Sequence, residues 1–230
     1  MKRIVETMLV VGAVTVWGPA LEAQNAPQRP DGLTNMQRIA DALGVKCEFC
    51  HVSVPTGMDY KSFANPKKDI ARQMIAMTRE VNARVEAASG KAMAATQVHC
   101  ATCHRGVSIP KPLPDILNQT LREQGIQEMI SQYRELRERY YGRDTYDFRE
   151  ATVVNIGQRL ADSRPDDAIA LLQMNLEFHP DSVDSYVLLS RAYTIKRDRP
   201  TAIAMLKRAL EIAPANGLVQ GYLHQLDPQR

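Results

Sequence analysis

The four cysteines of the 230-residue chain all fall in one kind of pattern. Cys47-Glu48-Phe49-Cys50-His51 and Cys100-Ala101-Thr102-Cys103-His104 both read C-x-x-C-H. Two thioether bonds to one porphyrin need sulfurs three residues apart on a single turn. The histidine that follows then points its imidazole at the iron from the same side. The pattern predicts two covalently attached haem c groups, with Cys47, Cys50, Cys100 and Cys103 as anchors and His51 and His104 as proximal iron ligands. A redox disulfide would want a βαβ context, which the hydrophobic pattern lacks. A four-cysteine zinc site does not call for histidine after both pairs, and the pairs lie 53 residues apart.

The elements around the motifs supply candidates for the sixth ligand. Leu33 to Leu43 reads as a helix with Leu33, Met36, Ile39, Ala40 and Leu43 on one face and Gly44 as its C-cap. Such a helix running over the first haem can place the Met36 sulfur on the iron; plain core packing is the alternative. Asn65-Pro66 is a helix start, and the helix runs to about Ala88 before Ser89-Gly90 stops it. Its apolar stripe is Ile70, Met74, Met77, Val81 and Val85, with Met74 and Met77 expected on the haem-facing side, one ligating and the other packing. Met58 and Met93 lie in expected loops and are weaker candidates. His99 is read as structural, and Arg105 either pairs with a haem propionate or is a surface arginine.

At these residues the chain resembles the photosynthetic reaction-centre cytochrome c subunit family. The resemblance is carried by Leu43-Gly44-Val45-Lys46 leading into Cys47–His51, by Asn65-Pro66-Lys67-Lys68, by the run from Ala71 to Asn82, and by Val98-His99 leading into Cys100–Gly106. It covers roughly residues 31 to 110. It implies a methionine from the preceding helix as distal ligand of each haem: Met36 for the first, and Met77 for the second, with Met74 as its alternative. It implies haem geometry and electron transfer but not photosynthesis. The family carries four haems in two such halves, whereas this chain has one half, lacks the family's lipoprotein cysteine and continues into something different.

The flanking segments set the organisation. Lys2 and Arg3, the mostly apolar stretch Ile4–Trp17, the Gly18-Pro19 break and small residues at Ala20 and Ala23 read as a secretory signal cleaved near Ala23. The apolar run is short for a membrane span, which needs about 20 residues. Pro110-Lys111-Pro112-Leu113-Pro114 reads as an extended linker. Beyond it the chain repeats with a period of 34: Ala168-Ile169 recurs as Ala202-Ile203, Leu176 as Leu210 and Pro180 as Pro214. This is the tetratricopeptide pattern. Helices are expected at 148–161 and 182–195, with a degenerate pair at 116–123 and 128–141 and a capping helix at 219–226. Arg134, Arg137, Arg139 and Arg143, interleaved with Glu135 and Glu138, read as a solvated helix face.

The expected fold class is therefore all-α, a compact dihaem cytochrome c domain followed by a tetratricopeptide-like (TPR-like) helical-repeat domain. The expected division is 1–23 signal peptide, 24–109 dihaem domain, 110–114 linker and 115–230 repeat domain. Hydrophobic residues at 44% and charged residues at 24% are ordinary for globular chains, and a formal charge of +3 is too mild to argue for nucleic acid. Two haems, at about −4 in total with reduced iron, would bring the holoprotein to about −1. The functional expectation is an exported, periplasmic electron carrier rather than an enzyme, because methionine-ligated iron leaves no open position for substrate. The alternatives are a dihaem peroxidase with one open haem, or a haem-based redox sensor or scaffold. Expected partners are redox proteins, with a protein partner or a second copy held by the repeats, no nucleic acid, and membrane contact only through a partner.

Overall fold

The computed structural model describes residues 31–89 and 97–228. The expected signal segment 1–23 and Met93 lie outside the described residues. The architecture is almost entirely helical, as expected, with one small hairpin added to it.

The N-terminal lobe begins with α1 (Asp31–Leu43). Gly44 ends it at φ +65°, and paired closing bonds run from Gly44 N to Asp41 O (3.1 Å) and from Val45 N to Ala40 O (3.0 Å). This is the double bond pattern that a left-handed glycine permits. A 3₁₀ turn at Cys47–Phe49 follows, then a two-stranded antiparallel hairpin, β1 (Val52–Val54) and β2 (Gly57–Asp59). Asn65 Oδ1 accepts from Lys67 N (3.1 Å) to start α2 (Lys67–Ser89), while Asn65 Nδ2 donates to Phe49 O (3.0 Å) inside the first motif. The second motif forms the short helix α3 (Cys100–Cys103), whose start is fixed by His99 N donating to Thr102 Oγ1 (3.0 Å). His99 thus sits at the cap of the turn that carries the cysteines.

Helix α2 presents two distinct faces. Its apolar stripe, Ile70, Met74, Met77 and Val81, faces outward and is exposed. The inner face is Lys68, Ala71, Ile75, Thr78 and Asn82, which recur at helical spacing. Polar anchors set this rotation. Lys68 Nζ donates to Tyr60 O (2.6 Å) and Ser62 O (2.8 Å), and Asn82 exchanges two bonds with the Val98 backbone (2.9 and 2.7 Å).

The C-terminal half comprises α4 (Leu113–Glu123), α5 (Ile126–Tyr140), α6 (Glu150–Leu160), α7 (Pro165–Phe178), α8 (Val183–Ile195), α9 (Arg199–Ile212) and α10 (Gly217–Leu226). Helix α4 starts at Leu113, inside the expected linker. Pro112 provides the extended cap and Pro114 sits in the first turn, where the missing N–H costs nothing. Helix α4 packs on α5, and α6 to α10 each pack on the next, while α4 packs on α6, α5 on α7 and α6 on α8, so the hairpins stack. Helices α7 and α9 start at Pro165 and Arg199 and end at Phe178 and Ile212, an offset of 34 at both ends. The pairs Ala168/Ala202 and Leu172/Leu206 occupy equivalent buried positions, and Ser182 and Asn216 cap α8 and α10 with their side chains.

One expectation for this half is corrected. The arginine run is not a single solvated face. Arg137, seven residues beyond Ile130 and four beyond Tyr133 in the core, lies on their face and is buried. Its guanidinium carbon stands 3.9 Å from the Tyr141 ring centre and 4.5 Å from that of Phe178. Arg137→Ala is expected to cost about 2 kcal/mol, through lost cation–π contact and stem packing, and to lower the urea midpoint with little change in slope.

Within the N-terminal lobe, Gly106 N donates to Ala42 O (2.8 Å), which ties the second motif to α1. Arg105 links this lobe to the second half, with a guanidinium N–H 3.5 Å from Asp144 O. Thr145 Oγ1, in the connection between α5 and α6, donates to Arg105 O (2.6 Å). Arg105 itself is held at φ +49°, a left-handed conformation that an arginine adopts only at some cost.

Candidate functional site

Each motif closes on itself as one tight turn. His51 N donates to Cys47 O (3.0 Å), and His104 N donates to Cys100 O (2.9 Å). The same backbone bond therefore gathers two sulfurs and one imidazole at each site. Cys47 and Cys103 are exposed, while Cys50 and Cys100 are half-buried. Burial pushes the Cys50 thiol upward, with the Lys67 ammonium partly opposing it. Among the described residues, no three His, Cys, Asp or Glu side chains converge as a metal-holding group, so the two cysteine pairs do not form one thiolate site.

The imidazoles differ in their support. His104 is buried, and its Nδ1 lies 3.0 Å from Val107 O. A carbonyl can only accept, so Nδ1 carries the proton and Nε2 is the nitrogen with a free lone pair, able to ligate a metal. His51 Nδ1 is buried with no partner among the described residues. Its ring is instead placed by Tyr60, which meets it edge-on at 5.1 Å between ring centres. The hairpin β1–β2 brings Tyr60 back to His51. Three-residue strands carry too little periodicity to be read, so this residue had no sequence signal.

A cavity of about 800 Å³ opens beside the first motif, between α1 and α2. Met36, Ile39 and Leu43 line it from α1, Ala71 and Ile75 from α2, and Cys47, Cys50 and His51 from the motif. Its wall is mostly apolar, with Lys46, Lys61 and Arg72 among its basic lining residues. Met36 thus shares one cavity with Cys47, Cys50 and His51. The size, the apolar wall and the sulfur–imidazole donor set fit a haem c.

A second cavity, of about 830 Å³, borders Cys100. Ile75, Thr78 and Asn82 line it from α2 and Asn35, Arg38 and Ala42 from α1. Neither Met74 nor Met77 lines it; both lie on the outward stripe of α2. Met58 is half-buried on β2. Among the described residues, no helix is long and apolar enough to cross a membrane.

A C-x-x-C-H turn whose histidine Nδ1 is tied to a backbone carbonyl has the donor set of a c-type cytochrome. The comparison with known families agrees: the family model of the photosynthetic reaction centre cytochrome C subunit matches residues 55–136. The match takes in α2, the second motif, α4 and most of α5, and leaves Cys47–His51 outside it. This similarity supports covalent haem c as cofactor and haem-based electron transfer as chemistry. No curated protein matches the chain.

Proposed function

We propose that the protein is an exported dihaem c-type cytochrome, an electron carrier rather than an enzyme, whose helical repeats dock a redox partner or a second copy. The observation that carries the haem reading is the shared cavity of Met36, Cys47, Cys50 and His51. Bound haem c supplies a one-electron iron couple within the protein. The chain's own contribution is attachment by Cys47, Cys50, Cys100 and Cys103, axial support by His51 and His104, and exclusion of water by the α1–α2 walls. Met36, which lines the same cavity as His51, would be the second protein ligand of the first iron. Met77, with Met74 one turn before it as alternative, is assigned to the second iron on family similarity. The stripe they share is an apolar surface that a porphyrin held by Cys100 and Cys103 would cover.

The repeat reading rests on the 34-residue offset of α7 and α9. A stack of such hairpins presents an extended surface suited to a protein partner. The export reading rests on the basic and apolar pattern of residues 2–17, and attachment of haem c in the periplasm agrees with it.

The test combines mass and absorption spectroscopy on the full-length holoprotein. The wild type is expected to carry two haem masses, and each Cys-to-Ala pair at one motif to remove one. Met36→Ala and Met77→Ala should each remove a sulfur-to-iron charge-transfer band near the red end of the spectrum. Loss of the band in Met74→Ala but not in Met77→Ala would move the second assignment to Met74. A five-coordinate signal in the wild type would favour the peroxidase alternative. A wild-type mass with no haem would end the reading.

A further inference from the structure

We propose that the basic rim of the first cavity is a docking face for a redox protein whose own contact surface is acidic. The proposal rests on the reading of Cys47–His51 as a haem-attachment turn. Its own basis is the charge and the aromatic residues around the cavity beside that turn. Lys46, Lys61, Lys68 and Arg72 line it, and no aspartate or glutamate does. Lys67 adds a further cation beside the motif, its Nζ 3.8 Å from the Phe49 ring centre. None of these basic side chains forms a salt bridge among the described residues. Asp59, the acid closest to Lys61 in sequence, accepts instead from the backbone N–H groups of Lys61 (2.9 Å) and Ser62 (3.0 Å). The cavity beside Cys100 differs, since Asp41 and Asp144 line it together with its arginines.

Two large rings stand at the same rim. Tyr60 is 57% exposed and Phe63 52%, and both line the cavity. Phe63 is clamped from α2: Lys68 Nζ lies 4.4 Å and the Arg72 guanidinium carbon 4.1 Å from its ring centre. A ring already held in place loses little freedom on binding, and aromatic and arginine side chains are the types that carry most binding energy at protein interfaces. The cations choose the partner, because their field draws an acidic face in and orients it over the cavity. A haem in the cavity brings two carboxylates against four lining cations, so the rim stays positive. Whole-molecule charge points the other way, at about −1 for the holoprotein with two reduced haems. The docking face is therefore local. It lies on the cavity that would hold the first haem, which shortens the path of the electron to a partner seated there.

The experiment is voltammetry of the full-length holoprotein on gold coated with a carboxylate-terminated monolayer, which stands in for an acidic protein face, against an ammonium-terminated one. The wild type is expected to adsorb and exchange electrons on the carboxylate surface, and to lose this as salt rises. The variant Lys46→Gln/Lys61→Gln/Arg72→Gln is expected to exchange about tenfold more slowly there, the low end of what electrostatic steering supplies. The control Lys111→Gln/Arg122→Gln/Arg159→Gln removes the same charge from a basic pocket beside α4 and α6, and should match the wild type. Equal losses in the two variants would overturn the proposal and leave the haem reading intact. So would a wild type that does not prefer the carboxylate surface, or a salt-sensitive dimer that the rim variant abolishes, which would make a second copy the occupant. A haem mass unchanged by Cys47→Ala/Cys50→Ala would instead remove the reading on which the proposal rests.

Discussion

A variant with Cys47, Cys50, Cys100 and Cys103 all replaced by alanine is expected to lose amide-exchange protection throughout α1 and α2, while α4 to α10 keep theirs. The reason is the distribution of the core. Among the described residues of the N-terminal lobe, Ala42 is the only buried apolar side chain, and α2 buries none of its 23 residues. A helix of that length without a packed face is marginal in water. The repeat half has a core running from Leu113 and Leu117 through Tyr133 and Ile156 to Leu171 and Leu189, and a second cluster of Leu206, Ala209, Val219 and Leu223 between α9 and α10. If the lobe packs on its porphyrins, its folding depends on attaching them, much as small metal domains depend on their metal. Protection of α2 equal to that of α6 in the haem-free variant would show that the lobe has a core of its own.

Gly44→Ala is expected to destabilise the holoprotein by about 2–5 kcal/mol, a large part of the usual total for a domain. Two costs add. Gly44 is left-handed at φ +65°, which a β-carbon penalises by about 1–2 kcal/mol. The new Cβ would also lie 2.1 Å from Gly106 O and 2.8 Å from Gly106 C, backbone atoms that cannot swing aside. Relief requires α1 to part from the second motif, which breaks the Gly106 N to Ala42 O bond. Denaturation followed by haem absorption should show the loss. Gly142→Ala is the control. Gly142 is also left-handed, at φ +78°, but nothing lies within 4 Å of its Cβ position, so only the backbone cost should appear. Equal losses in the two variants would refute the steric account.

Much of this arrangement was legible beforehand because it is local. The two motifs, the glycine end of α1, the Asn65 start of α2 and the 34-residue period all depend on neighbours in sequence. What escaped was tertiary. The apolar stripe of α2 was legible, but its opposite face, where Lys68 and Asn82 bond backbone, carried no hydrophobic signal. Arg137 was read with its charged neighbours, although its spacing from Tyr133 places it in the core, where aromatic rings take its charge. Tyr60 reaches His51 through a hairpin too short to announce itself. Arg143 joins a cavity 43 residues from Cys100 in sequence, and no local pattern carries that information.

The stacking order has an evolutionary consequence. The N-terminal lobe meets the stack at the connection between α5 and α6, through Asp144 and Thr145, whereas α10 lies at the far end against α9. Duplication or loss of a 34-residue module at the α10 end would lengthen or shorten the C-terminal half without disturbing the residues around either C-x-x-C-H turn. Related chains can therefore diverge freely in whole units at their C-termini, while the segment around Arg143 and Thr145 must travel with the motifs.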